Sequence, residues 1–251
     1  MSAAGYWFER FCLFTYAPFV FYTALYKSDY FQHLTYWALT AHALYYTVDK
    51  ASPQSSKLTA LLHALSFMGS IAILFGYTCI SVFGGLKFGS WLAWENAVGG
   101  RAGTVLHDRG WWECAPQKLY EHLWPLIASF IDLHYSKDSL AAHLKGARPV
   151  RTTIFAVLVF VVYGTTWEMV QKSKGKVGDP LDVYVQPDYL TTQSILNNVG
   201  ISGDFSHLPK DLIFTNVQKV CMIATMVYLY WKYVTPLMAD GKKKSTAKKT
   251  K

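Results

Sequence analysis

Charge is scarce in this sequence: 16% of its 251 residues are Asp, Glu, Lys or Arg, against 52% hydrophobic. A water-soluble domain of this size needs more charge to cover its surface, which argues against that class. Cysteine is scarce too. Cys12, Cys79, Cys114 and Cys221 show no CxxC spacing and three lie in apolar runs, so neither a disulfide framework nor a zinc site is implied. No basic stretch, short apolar run and small-residue cleavage site open the chain. Glu9 and Arg10 instead head a full-length apolar segment, and no cleaved secretory signal is expected. A GxSxG elbow, a P-loop and a dinucleotide fingerprint are all missing, which leaves serine-hydrolase, NTPase and Rossmann readings without support. No two histidines stand three or four residues apart, so the clustered-histidine di-iron oxygenases are excluded. There is no internal repeat.

What the chain has is apolar residues gathered into blocks. A helix rising about 1.5 Å per residue needs about twenty of them to cross about 30 Å of hydrocarbon. Six blocks are expected to span: about 11–26, 31–48, 58–83, 119–133, 152–170 and 214–234. The fold class expected is therefore all-α, a polytopic transmembrane bundle. It forms a single transmembrane domain over 1–240, followed by a basic tail at 241–251. The second block carries His33, Thr35, Thr40 and His42 among aromatics, and lipid would penalise those groups, so this helix belongs inside the bundle. The fourth carries Glu121, His122, Pro125 and Asp132 and needs the same shielding. In the third, Gly69, Ser70 and Gly76 allow close helix approach. Trp91, Trp94, Trp111 and Trp112 lie among glycines and charges between the third and fourth blocks, and read as an interfacial loop. Residues 171–211 form a long polar connection expected to fold against something.

The net charge of +8 is concentrated at the end of the chain, where six of the last ten residues are lysine. A tail is not a nucleic-acid-binding face, and no nucleic-acid partner is expected. Lys242, Lys243, Lys244, Lys248 and Lys249 are suited to anionic lipid headgroups or an acidic partner, or form a solvated end. With six spans both termini share one side, which then holds about fourteen of the 24 lysines and arginines. That bias puts the termini in the cytosol, or in the matrix of a mitochondrion.

Ionisable groups inside a bilayer are costly, so His33, His42, His63, His122 and Asp132 are the candidates for chemistry, beside the plainer reading of histidines hydrogen-bonded in a bundle. His42 and His63 could ligate haem if their helices are antiparallel neighbours. No cofactor is otherwise implied.

The segment His33-Leu34-Thr35-Tyr36-Trp37, leading into a polar second helix, resembles the Leu-Thr-aromatic entry of the androgen-induced and androgen-dependent TFPI-regulating family. His122, followed ten residues on by Asp132, is similar to that family's later histidine and acidic residue. The resemblance implies a six-span membrane hydrolase of branched fatty-acid esters, with Thr35 as nucleophile and His122 as base. The chain departs from the family in the Trp-rich insertion before His122, in the long connection after Val170 and in lacking a clear counterpart of a later Trp-Tyr-Pro segment.

Two functions follow. One is a non-catalytic accessory subunit of a larger membrane assembly, of respiratory type in the mitochondrial inner membrane. The connection and tail would then contact neighbouring subunits and lipid. The other is the Thr35/His122 ester hydrolase in the endoplasmic reticulum, whose retrieval signals Lys248-Lys249-Thr250-Lys251 resembles.

Overall fold

The computed structural model describes residues 3–26, 34–48, 56–83, 116, 118–144, 147–173 and 191–237. These form helices α1 (Ala3–Tyr26), α2 (Leu34–Thr47), α3 (Ser56–Phe83), α4 (Trp124–Tyr135), α5 (Lys137–Leu144), α6 (Pro149–Ser173), α7 (Thr192–Asn198) and α8 (Gln218–Tyr233). π-Helical turns at Leu119–Leu123 and Leu212–Val217 lead into α4 and α8. Among the described residues there is no strand, as expected of an all-α chain. The Trp-rich segment and the lysine tail lie outside the described residues.

Length and composition mark two stretches, Lys57–Cys79 and Leu212–Leu237, as able to cross a membrane. Both match expected spans. The 24 residues of α1 reach about 36 Å at 1.5 Å per residue, but Glu9, Arg10 and four tyrosines dilute its apolar character. The 14 residues described for α2 cover only about 21 Å. The fourth block departs most from a regular span. Pro125 has no N–H for the carbonyl four residues back, and the turn before it widens into the π-helix that holds Glu121 and His122. Glu121, His122 and Asp132 are all buried, as expected of this segment.

The chain falls into two compact units. The first comprises Met1–Ile73, Leu123–Val159 and Thr225–Lys251, and the second Leu74–His122 and Phe160–Ala224. In the first, α1 packs on α2 and α4. The inward stripe of α1 is small or polar, with Gly5, Cys12, Tyr16 and Thr23 at near-heptad spacing. Its opposite stripe presents Trp7, Phe14 and Phe21, which are 70%, 74% and 67% exposed. That inverts the soluble pattern of an apolar stripe facing the core. On α3, Ala60, Ala64, Phe67, Met68, Ile71 and Ala72 are buried, and the alanines among them let neighbouring helices close in. Phe67 meets Phe130 of α4 and Tyr230 of α8 edge-on, at 5.6 and 6.1 Å between ring centres. Trp231 Nε1–H of α8 donates to Thr153 Oγ1 of α6 at 2.9 Å.

The second unit contains the described end of the polar connection, which is ordered by its own hydrogen bonds. The Thr191 hydroxyl caps α7 by accepting from Ser194 N–H at 3.2 Å. Gly200, at φ +87°, turns the chain out of α7, with Ile201 N–H reaching Leu196 O at 2.9 Å and Gly200 N–H reaching Asn197 O at 3.1 Å. Thr192 N–H donates to Lys210 O at 2.8 Å, and the Thr192 hydroxyl donates to Pro209 O at 2.7 Å, which closes the loop. Asn198 Nδ2 donates to Phe83 O at the end of α3 at 2.7 Å. Ile195 is buried against Phe214, with Phe83 and Ile213 beside it. The connection was expected to fold against something, and at Ile195 the chain supplies that surface with its own residues. Leu181, Val183, Tyr184 and Tyr189 of the same connection lie outside the described residues. Replacing Thr192 with Val should cost about 1–3 kcal/mol locally, since Pro209 O loses its donor while Lys210 O keeps the backbone N–H. Amide exchange should accelerate across 192–198 and stay unchanged in α1.

Candidate functional site

Because a helix turns 100° per residue, Thr35, Leu39, His42 and Tyr46 fall on one stripe of α2. Leu39, His42 and Tyr46 are buried, and Thr35, in the first turn, is half-buried on the same stripe. The candidate nucleophile therefore stands on the face that α2 turns to the protein, two turns before His42.

His42 is held by two tyrosine rings and by a hydrogen bond at its edge. The ring stacks on Tyr16 at 5.0 Å between centres and lies near-parallel to Tyr46 at 6.3 Å. Nε2 lies 2.6 Å from Ser70 Oγ of α3. The Ser70 hydroxyl donates to Ser66 O one turn back at 2.7 Å. A hydroxyl has one proton and a carbonyl can only accept, so Nε2–H is the donor to Ser70 Oγ. Ser129 Oγ of α4 lies 3.4 Å from Ser70 Oγ and donates to Pro125 O at 2.9 Å. Three helices thus meet in one buried polar seam.

A second buried polar contact lies alongside. Tyr45 O–H donates to Asp132 Oδ2 at 2.6 Å, while Asp132 Oδ1 has no hydrogen-bond partner. The Tyr45 ring meets His63 edge-on at 5.3 Å, and His63 in turn contacts Phe67 and Tyr230. The expected haem pair does not fit this arrangement. His42 Nε2 is at hydrogen-bond distance from Ser70, which leaves no room for iron on that nitrogen, and the ring of His63 is packed among aromatics.

In the second unit, His122 is buried in the π-turn and stacks on Tyr77 of α3 at 3.9 Å between ring centres. Nδ1–H donates to Lys118 O at 3.1 Å. Since that carbonyl can only accept, Nδ1 carries the proton of the neutral ring and Nε2 carries the lone pair. Lys118 and Glu121, also buried, pair at 3.5 Å in the same turn. Thr35 belongs to the first unit and His122 to the second. Lys242, Lys243, Lys244, Lys248 and Lys249 fall outside the described residues, as does His33.

Sequence reading missed Ser70 and Ser129 as members of a polar seam. Ser70 stood out only as a small residue, and nothing in its spacing marks a bond to a histidine 28 positions away. Among the described residues no group of three or more His, Cys, Asp or Glu could hold a metal ion. Compared with protein-family models, with curated proteins and with solved structures, the chain matches none of them.

Proposed function

We propose that this chain is a six-span integral membrane hydrolase of fatty-acid esters, with Thr35 as nucleophile and His122 as general base. One observation carries the reading. The π-turn buries His122 and ties its Nδ1–H to a backbone carbonyl, so the ring offers Nε2 in the acceptor form that a base requires. The inward stripe on which Thr35 stands and the family resemblance of both segments support it further.

The chemistry balances as an acyl transfer. Thr35 Oγ1 attacks the ester carbonyl while its proton passes to His122 Nε2, and the alcohol leaves with that proton. Water then enters, gives a proton to His122 and attacks the acyl-threonine, and the fatty acid leaves as His122 returns that proton to Thr35 Oγ1. The reading requires the Thr35 hydroxyl and His122 Nε2 to come within about 2.6–3.2 Å, directly or through one water. A site in the bilayer would take its substrate laterally from lipid, and the outward aromatic stripe of α1 suits such a setting. The lysine tail would lie on anionic headgroups, and its last four residues favour the endoplasmic reticulum.

The alternative is an accessory subunit of a mitochondrial membrane assembly, although Ile195 of the connection is covered within the chain. Purification in mild detergent separates the two. A chain that hydrolyses long-chain esters alone supports the enzyme. A chain that is inert and always accompanied by the same proteins, losing them on truncation after Ala239, supports the mitochondrial subunit.

A further inference from the structure

The polar seam of the first unit has no part in the acyl transfer just described, yet it grips the helix that carries Thr35. His42 stands seven residues beyond Thr35 on the same stripe, so whatever fixes the rotation of α2 at His42 also fixes the direction of Thr35. A helix packed only by apolar contacts can rotate by a few degrees or slide by a fraction of an ångström with little penalty. A hydrogen bond of 2.6 Å to another helix, made by a ring that packs against Tyr16 and Tyr46, removes that freedom.

We propose that the His42–Ser70 bond is a positioning clamp that sets the rotation and depth of α2 against α3, and thereby aims the Thr35 hydroxyl for attack. This rests on the hydrolase reading above. The proton arrangement distinguishes a clamp from a second nucleophile and base: Ser70 gives its proton to Ser66 O, and His42 Nε2–H is a donor, so the imidazole is not set to deprotonate Ser70.

Full-length protein in mild detergent provides the test. His42→Phe keeps an aromatic ring against Tyr16 and Tyr46 but removes the bond, and Ser70→Ala removes it from the other side. A misplacement of about 1 Å can cost about 10²-fold in rate. Each single variant should therefore lower kcat about 10- to 100-fold with KM held within about twofold. The double variant should be no worse than either single, because both break the same bond. Ser70→Thr, which keeps the hydroxyl, should restore most of kcat. An alkyl fluorophosphonate should label Thr35 in the wild type and label it more slowly in His42→Phe.

Several results overturn the clamp. Wild-type kcat in both single variants would do so, as would additive losses in the double variant, or a fall in kcat matched by loss of folded protein on gel filtration that Ser70→Thr fails to reverse. A fluorophosphonate adduct on Ser70 in place of Thr35 would make Ser70 the nucleophile. Thr35→Ala with undiminished hydrolysis would remove the catalytic reading itself. If Thr35→Ala is inactive while His42→Phe and Ser70→Ala are not, only the clamp fails.

Discussion

Replacing Thr35 with Ala, or His122 with Gln, should abolish most hydrolysis of long-chain esters. Removing a positioned general base typically costs about 10²–10⁴-fold. Losing the nucleophile should cost at least as much, because no other hydroxyl takes its place in the covalent step. The two substitutions act on one step, so the double variant should be no slower than the worse single. His122→Gln tests the ring more cleanly than Ala would, since a shorter polar side chain keeps part of the packing against Tyr77. Thr35→Ser keeps a hydroxyl and should retain measurable activity. Release of fatty acid from a purified ester in detergent is the measurement, with folding checked by gel filtration. Activity of Thr35→Ala within twofold of wild type would end the hydrolase proposal and return the accessory subunit to first place.

The sequence was most legible where chemistry is averaged over many residues. Apolar blocks predict helices, and the third and sixth blocks match the two stretches long and apolar enough to cross a membrane. The polar character of the second and fourth blocks correctly predicts burial, because His42, Glu121, His122 and Asp132 have nowhere cheaper to be than inside the protein. Pairwise contacts were not legible. Tyr45 and Asp132 are 87 positions apart, and each is an ordinary residue of its own segment until the helices pack. Ser70 is equally silent, since a serine in an apolar helix reads first as a small side chain that returns its proton to its own backbone. The π-turn at Leu119–Leu123 was half legible. Pro125 is a plain signal of a disturbed helix, but whether the turn kinks, breaks or widens depends on what surrounds it. The polar connection was expected to fold against something, but nothing in its spacing named the surface. The cap at Thr191 and the turn at Gly200 fold its described end back on Phe214.

Tyr45→Phe should be the most destabilising of the conservative substitutions in the first unit. The phenol supplies the hydrogen bond of 2.6 Å to Asp132 Oδ2, and Asp132 Oδ1 has no partner of its own. Removing the hydroxyl leaves a buried carboxyl with neither oxygen bonded, and hydrogen bonds to such groups are worth about 1.5–3 kcal/mol. The ring itself stays, so contacts with His63 and Tyr46 survive, and the loss reports the hydroxyl alone. The cost of a buried polar group is asymmetric: leaving one partner behind is worse than removing both. Asp132→Leu combined with Tyr45→Phe should therefore be more stable than Tyr45→Phe by itself, although it differs from the wild type at two buried positions. Asp132→Asn should fall between, because its amide oxygen can still accept from Tyr45. Thermal unfolding in a single detergent, followed for the wild type and the three variants together, gives the order. If Tyr45→Phe unfolds at the wild-type temperature, the Tyr45–Asp132 bond contributes nothing to stability, and the carboxyl must be satisfied by some other group or by water.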